Sequence, residues 1–443
     1  MPNQGLKETS EEIVDYSLSR GADDVVVNAF SEFSRQLRFS ESRIDIFNGW
    51  RDQHFQLFMA KGGKVVSTQV KDAKSYRKIV DSAIRTADIS PESKDYMGIA
   101  SSSNARSRSR KIENISDREL VNFVKDAMER AKKSGAVSAA GSLYHNTYSR
   151  YLCTSTGVSK HEDDSHLYFS IRCFADDTAS GHGVTSSVSV SAFKPEDAAE
   201  KAAGLAKLAM GNPTVLEGEF DTVLDPMVTA VVASQVGEMN SAYAVISGFS
   251  CFRGKVGKHV ASDAVTIEDD ATRPLMGRRA FDDEGLRTRK TVMIQRGTLK
   301  THLHNTSTAK KFKTKSTANA GLVSPRPFCI SMKEGRSSHE DLIEGVDNGL
   351  FINNVWYTRY QSYAQGNFST LPRDAVLTIK KGELSAPVRN IRVTENLLRL
   401  LKNIVAVSKE REHVSWWYES IVPSTVPYAL VRNLNITRSS DLG

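Results

Sequence analysis

Apolar and polar positions alternate along the chain in blocks of helical and strand periodicity. Residues 8–20 (ETSEEIVDYSLSR) open with Thr9 or Ser10 as a cap, carry acidic residues in the first turn and stop at Gly21, which predicts a helix. Over 72–88, Tyr76, Ile79, Val80, Ala83, Ile84 and Ala87 recur on one helical face. Between these two helices, DVVVNAF, RQLRFSESRIDIFN and HFQLFMAKGGKVVSTQV read as three extended segments. Leu37, Phe39, Ile44 and Ile46 alternate with polar neighbours, and Gly62-Gly63 supplies a hairpin turn. The expected result is an N-terminal α/β unit over 1–90.

A Ser/Arg-rich stretch, 91–114, follows without periodicity and reads as a solvated linker. The next unit, 115–213, begins with a helix over 117–134, capped by Ser116 or Asp117 and ended by Gly135. Long alternating segments on either side of a Thr156-Gly157 turn then predict paired antiparallel strands, and a helix with Pro at its first turn covers 195–210. From 217 to 443 a strand (GEFDTVLDP) leads into an apolar helix over 226–243. A strand-rich region with Gly and Asp turns comes next, with short helices near 306–313, 337–348 and 394–406. The fold class is therefore α+β: an N-terminal α/β unit, a strand-rich α+β middle unit and a large β-rich C-terminal domain.

Composition narrows the function classes. No run of about eighteen apolar residues exists, so no helix is expected to span a membrane. The N-terminus lacks a basic start followed by an apolar core, which predicts a cytoplasmic protein. Cys153, Cys173, Cys251 and Cys329 show no C-x-x-C spacing and are expected to be small buried residues, neither disulfides nor zinc ligands. The net charge of +7 raises the question of nucleic acid, but 59 basic residues are interleaved with 52 acidic ones. The densest basic cluster, Ala105 to Lys111 (ARSRSRK), has no aromatic platform for bases. A phosphate-binding patch there stays open beside the linker reading.

Several residues carry potential chemistry. His161-Glu162-Asp163-Asp164-Ser165-His166 fits H-E-x-x-x-H, in which two histidines would hold zinc and the glutamate would activate water. These residues lie on an expected strand, where positions five apart face opposite sides, so His161 and His166 are not expected to share a metal and the segment reads as a hydrophilic strand end. His302 and His304 are two apart on an expected solvent-facing strand, with no third ligand nearby. Glu268-Asp269-Asp270 and Asp282-Asp283-Glu284-Gly285 read as turns or loop ends. No G-x-S-x-G, Walker A or dinucleotide-binding glycine pattern occurs.

After residue 247 come short elements at set spacing, beginning with G-K-V-G-x-x-V-A-S (Gly254 to Ser262), D-D-E-G (Asp282 to Gly285), the I-x-x-G-x-L turn around Gly297 and N-T-x-T-A-K (Asn305 to Lys310). Further on come EGRSSHEDLIEGVDNGLFI, Gln365-Gly366-Asn367-Phe368-Ser369 and KKGELSAPVRNIRVTENLLRLLKNIVAV, in order across about 200 residues. The series resembles the C-terminal domain of the TldD/PmbA family. In the zinc-bearing TldD type an H-E-x-x-x-H helix precedes the G-K-V-G core. The corresponding positions here are Ala233-Ser234-Gln235-Val236-Gly237-Glu238, so Ala233 and Glu238 stand for the histidines and Ser234 for the glutamate. The family's later cysteine ligand is also missing, because the corresponding tract reads KEREHVSWWYESIVPS.

The resemblance implies a metal-free subunit of the PmbA (TldE) type, with no catalytic residue and no cofactor of its own. Zinc and proteolysis would belong to a TldD-type partner. The two chains would enclose a cavity for unfolded or modified peptides bound as extended strands. It places Asp282, Asp283, Glu284, Gly285, Asn305, Gly366, Asn367 and Phe368 as candidates for the substrate channel or partner face, and it allows a homodimer of the chain alone. Two rival readings remain: a nucleic-acid-associated protein, and a self-sufficient metallohydrolase built on His161, Glu162 and His166, with His302 or His304.

Overall fold

A computed structural model describes residues 3–110, 112–416 and 419–439. Lys111 of the basic cluster, and residues 417–418 of the tract expected to have held the cysteine, lie outside the described residues. The first half contains α1 (Asn3–Ser19), β1 (Asp24–Ser40), β2 (Arg43–Lys61), β3 (Lys64–Val70), α2 (Tyr76–Ile89), α3 (Asp117–Lys133), β4 (Ser138–Thr154), β5 (Ser159–Phe174), β6 (Ser180–Ser187) and α4 (Pro195–Leu208). The second half runs β7 (Gly218–Leu224), α5 (Pro226–Met239), α6 (Ala242–Ile246), β8 (Ile267–Asp269), β9 (Thr291–Gln295), β10 (Thr298–Leu299), α7 (Thr306–Lys311), β11 (Ile330–Met332) and α8 (His339–Glu344). It ends with β12 (Asn348–Ser362), β13 (Asn367–Lys380), β14 (Glu383–Pro387), β15 (Ile391–Asn396), α9 (Leu397–Asn403), β16 (Ile404–Trp416) and β17 (Ser420–Arg438). This is the expected α+β class, with strands dominating the C-terminal half. No helix among the described residues is long and apolar enough to cross a membrane.

The six strands of the first half form one sheet in the order β3-β2-β1-β4-β5-β6. β1 and β4 pair without a break from Val26↔Thr154 to Phe39↔Gly141, so the strands on either side of 91–114 belong to a single sheet. The extended segments also divide differently from expectation. β1 continues through Leu37 and Phe39 to Ser40 and reverses at Glu41-Ser42, both of which have positive φ (47° and 57°). Glycine or asparagine usually fills such a turn, and neither marks it here.

Side-chain alternation sorts the sheet into two faces. Val25, Val27, Ala29, Phe55, Leu57 and Met59 pack under α1 and α2, while Leu143, Leu167, Phe169 and Ile171 pack under α3 and α4. The opposite face, with Val26, Phe58 and Leu152, meets Ile99, Ala105 and Phe281. α3 is held by a capping box in which Ser116 Oγ accepts from the Glu119 amide at 3.2 Å and Glu119 accepts from the Ser116 amide at 2.7 Å. In the second half, β7, β12, β13, β15 and β17 pair around a closed ring, since β17 also returns to β7.

Candidate functional site

α5 occupies the position of the expected degenerate metal helix. Asp225 caps it, accepting from the Met227 amide at 2.9 Å, and Pro226 starts it. Apolar residues occupy most of its sides, so every residue but Gln235 and Glu238 is buried, with Ala233 in the largest core cluster. Gly237 is required by packing, since a Cβ there would run into the Ile330 side chain. Ser234 is buried, whereas Glu238 lies exposed in the last turn. A protein zinc site needs three or four N, S or O donors. Here a methyl group and a buried hydroxyl flank one carboxylate, and these residues do not fit zinc.

The tract expected to have held a cysteine forms β16 and the start of β17, where Trp416 packs edge-on against His182 (5.4 Å) and Trp356 (5.1 Å). All four cysteines are buried, and desolvation pushes each thiol up to about 12, so they are inert as nucleophiles at neutral pH. Among the described residues, His339, Glu340 and Glu410 are the one group with three potential ligand atoms close together, and they lie on a partly exposed surface.

The H-E-x-x-x-H run lies on β5, and its histidines diverge as strand geometry requires. His161 contacts Ser109 Oγ at 2.9 Å, while His166 contacts Asn146 Nδ2 at 3.0 Å. The expectation of a hydrophilic strand end is corrected for its acids, because Glu162 and Asp164 are buried. Glu162 accepts from Arg150 Nη1 at 3.0 Å and from the Ala280 amide at 2.8 Å, and Asp164 pairs with Arg278. A carboxylate held this way is an anchor, not a water-activating base. His302 and His304 are buried rather than solvent-facing, with ring centroids 6.3 Å apart and Phe312 against both. Burial lowers both imidazoles to about 4, so they stay neutral.

Asp282-Asp283-Glu284-Gly285 is a buried junction between the halves of the protein, not a surface turn. Asp282 accepts amide hydrogens from Glu284 (3.0 Å), Leu286 (2.9 Å) and Ala320 (3.0 Å). Asp283 accepts from Arg150 (2.5 Å), Arg279 (3.0 Å) and Asn28 (3.2 Å), and Gly285 (φ 82°) has no room for a Cβ beside Val158. Of the residues placed as candidates for the channel or partner face, Asp283, Glu284 and Asn305 line a cavity of about 100 Å³ with Tyr96 and Tyr243. Asn305 also caps α7, accepting from the Thr308 amide at 2.9 Å. Gly366, Asn367 and Phe368 sit in and after the β12–β13 turn, away from that cavity's lining. Gly366 (φ 83°) approaches Cys251, Asn367 accepts from Asn396 Nδ2 at 2.8 Å, and Phe368 is in the core against Tyr360.

The Asp282–Glu284 pair sets a pH dependence. Desolvation, reinforced for Glu284 by Asp282 and for Asp282 by Asp283, holds both carboxyls above the ordinary range. The folded state therefore keeps protons that the unfolded chain has released, and its stability falls as pH rises from about 4.5 through about 8. Glu284→Gln is expected to leave the melting temperature near pH 5 unchanged and to raise it by a few degrees near pH 8.5. Parallel melting curves of the two proteins across this range would count against the assignment.

Arg150 is the central residue that sequence reading passed over, although a signal existed. A hairpin centred on Thr156-Gly157 sets Arg150 directly opposite Glu162. The Ser/Arg stretch is likewise not a free linker. Arg108 donates its amide to His161 O at 2.9 Å and accepts from the Asp163 amide at 3.0 Å, pinning the stretch beside β5.

Comparisons with known proteins agree with the fold. Residues 217–438 match the PmbA/TldA metallopeptidase C-terminal domain and residues 110–210 the PmbA/TldA metallopeptidase central domain. A metalloprotease of Methanocaldococcus jannaschii is 33% identical over 203 residues, covering 44% of this chain and 45% of that one. A metalloprotease TldD homolog of Buchnera aphidicola is 28% identical over 224 residues, covering 48% and 45%. The matched region thus spans less than half the length of these relatives. TldE from Thermococcus kodakarensis superposes with a TM-score of 0.82 at 18% identity, over 97% of this chain and all (100%) of that one. A putative modulator of a DNA gyrase from Thermotoga maritima gives 0.81 at 22% identity, over 97% and 99%. With half of the chain matching one family domain and a second domain matching beside it, this chain belongs to the PmbA/TldD metallopeptidase family.

Proposed function

We propose that this chain is the non-catalytic, metal-free subunit of a two-chain protease whose TldD-type partner carries zinc and cleaves peptides. The observation that carries this reading is the α5 sequence, in which Ala233 and Ser234 are buried without a usable ligand and Glu238 stands alone. The chain's contribution is then structural: it completes the chamber and helps hold an unfolded or modified peptide in extended form through main-chain hydrogen bonds. Its expected setting is the cytoplasm, with the partner as its stable neighbour and a homodimer available when the partner is absent.

Co-expression with a TldD-type chain tests the assignment. The expected outcome is a stable complex burying well over about 1,600 Å², with zinc and chelator-sensitive peptidase activity in the complex and neither in this chain alone. Stoichiometric zinc and chelator-sensitive cleavage by the purified single chain would overturn the reading. So would recovery of separate chains at micromolar concentration.

A further inference from the structure

The Ser/Arg stretch, pinned against β5, forms one wall of an open pocket of about 620 Å³. Its opposite wall comes from residues 279–288. Arg106, Arg108, Arg279 and Arg287 line it together with Asn104 and Thr288, and among the described residues no carboxylate does. The nearby acids are already engaged. Asp283 faces three guanidinium groups at once, those of Arg150 (2.5 Å), Arg279 (3.0 Å) and Arg326 (3.9 Å). Glu162 and Asp164 bind Arg150 and Arg278, leaving Arg108 Nη2 only at 3.9 and 3.7 Å from them. The buried Nε and Nη2 of Arg108 have no hydrogen-bond acceptor among the described residues. Among the described residues, Arg106 and Arg287 form no ion pair. Positive charge is therefore in excess, partly desolvated and backed by rigid strand. Desolvation, then Arg150 and Arg326, lower the Arg279 guanidinium to about 10, which expresses the same crowding.

We propose that this arginine-walled pocket is a binding site for a small oxyanion ligand, a molecule bearing a phosphate or carboxylate group. Guanidinium forks match the planar, divided charge of such groups and bind them by paired hydrogen bonds. The volume lies in the range of small-molecule sites, larger than the anion alone needs, so the ligand has a body attached to its charged group. Asn104, whose Oδ1 accepts from the Arg287 amide at 2.9 Å, adds its NH2 group as a neutral donor, and no aromatic residue among the described ones lines the pocket to stack a base. The site stands apart from α5 and does not rest on the subunit assignment.

Titration calorimetry on the full chain tests it with sodium phosphate, pyrophosphate and citrate, each against sodium chloride at matched ionic strength. Saturable binding of at least one is expected, weakened about tenfold or more in Arg106→Ala/Arg287→Ala. Those two side chains are exposed, so the variant should fold as the wild type does. Tighter binding of phosphate or pyrophosphate than citrate would assign a phosphorylated ligand, and the reverse order a carboxylate. No saturable binding of any probe, or equal binding by the double variant, would overturn the proposal. Binding of a single-stranded oligonucleotide without any response to the three small anions would overturn it too, marking a nucleic-acid contact surface instead.

Discussion

Replacing Arg150 with methionine is expected to destabilise the protein by about 3–5 kcal/mol, the range for breaking a buried ion pair from one side. The side chain is almost fully buried and all its hydrogen-bonding capacity is used. Nε donates to Asn28 Oδ1 at 2.7 Å, Nη1 to Glu162 (3.0 Å) and Phe281 O (3.1 Å), and Nη2 to Asp283 (2.5 Å) and Asp282 O (3.3 Å). Its guanidinium also sits over the Phe281 ring at 4.8 Å. One residue thereby ties β1, β4 and β5 to the 281–283 loop of the C-terminal half. Methionine would leave Glu162 with one amide hydrogen bond, from Ala280, and the Arg108 guanidinium at 3.9 Å, while Asp283 keeps Arg279. Arg150→Met/Glu162→Gln should accordingly recover part of the loss. Denaturant unfolding of the single and double variants reads this directly. A loss below about 1 kcal/mol for Arg150→Met would show that solvent or neighbours compensate and that the junction does not depend on this residue.

The second large effect concerns the contact of α4 with β6. Gly181 and Gly183 lie directly beneath Ala202 and Ala198, and a Cβ on either would come within 2.2 Å of a helix carbonyl oxygen, far inside van der Waals contact distance. Neither partner is a flexible side chain, so helix and strand would have to separate. Gly183→Ala is expected to cost about 3 kcal/mol, at the upper end of overpacking penalties. Gly204 lies on the same helix with open space around its Cβ position. Gly204→Ala should therefore stabilise by about 0.5–1 kcal/mol through helix propensity. The same chemical change is expected to act with opposite signs at the helix–strand contact and on the open side of the helix. Equal melting temperatures for the two variants would refute the packing argument.

The limits of sequence reading are visible at particular residues. Ser116 with Glu119, Pro226 after Asp225, and Gly62-Gly63 announce their elements because caps and tight turns are satisfied within a few residues. The divergence of His161 and His166 also follows from strand alternation alone. In contrast, nothing local marks Glu41-Ser42 as a turn, since two ordinary residues adopt left-handed conformations there once β1 and β2 are paired. Nothing local shows that β1 pairs β4 either, because the partners are separated by more than a hundred residues of other structure. Acidic runs have the composition of surface turns. The burial of Asp282 and Asp283 became visible only when the arginines and amides that solvate them were in place. His302 and His304 are buried by the same kind of remote cover, which includes Phe312 and Asn240 from separate elements.

The sequence by itself determined the α+β class, most helices and the family, because periodicity, capping and ordered motifs are local properties of the chain. It also determined that neither histidine nor cysteine stands at 233, 234 or 238, because composition at a position needs no fold to be read. Only the tertiary structure decided that one sheet runs through the expected N-terminal and middle units. It alone turned the Ser/Arg stretch from a linker into a pocket wall, and it alone buried the acids of β5 and of the Asp282–Gly285 segment. Burial, charge compensation and cavity shape depend on groups brought together from distant positions, and no single stretch of sequence contains them.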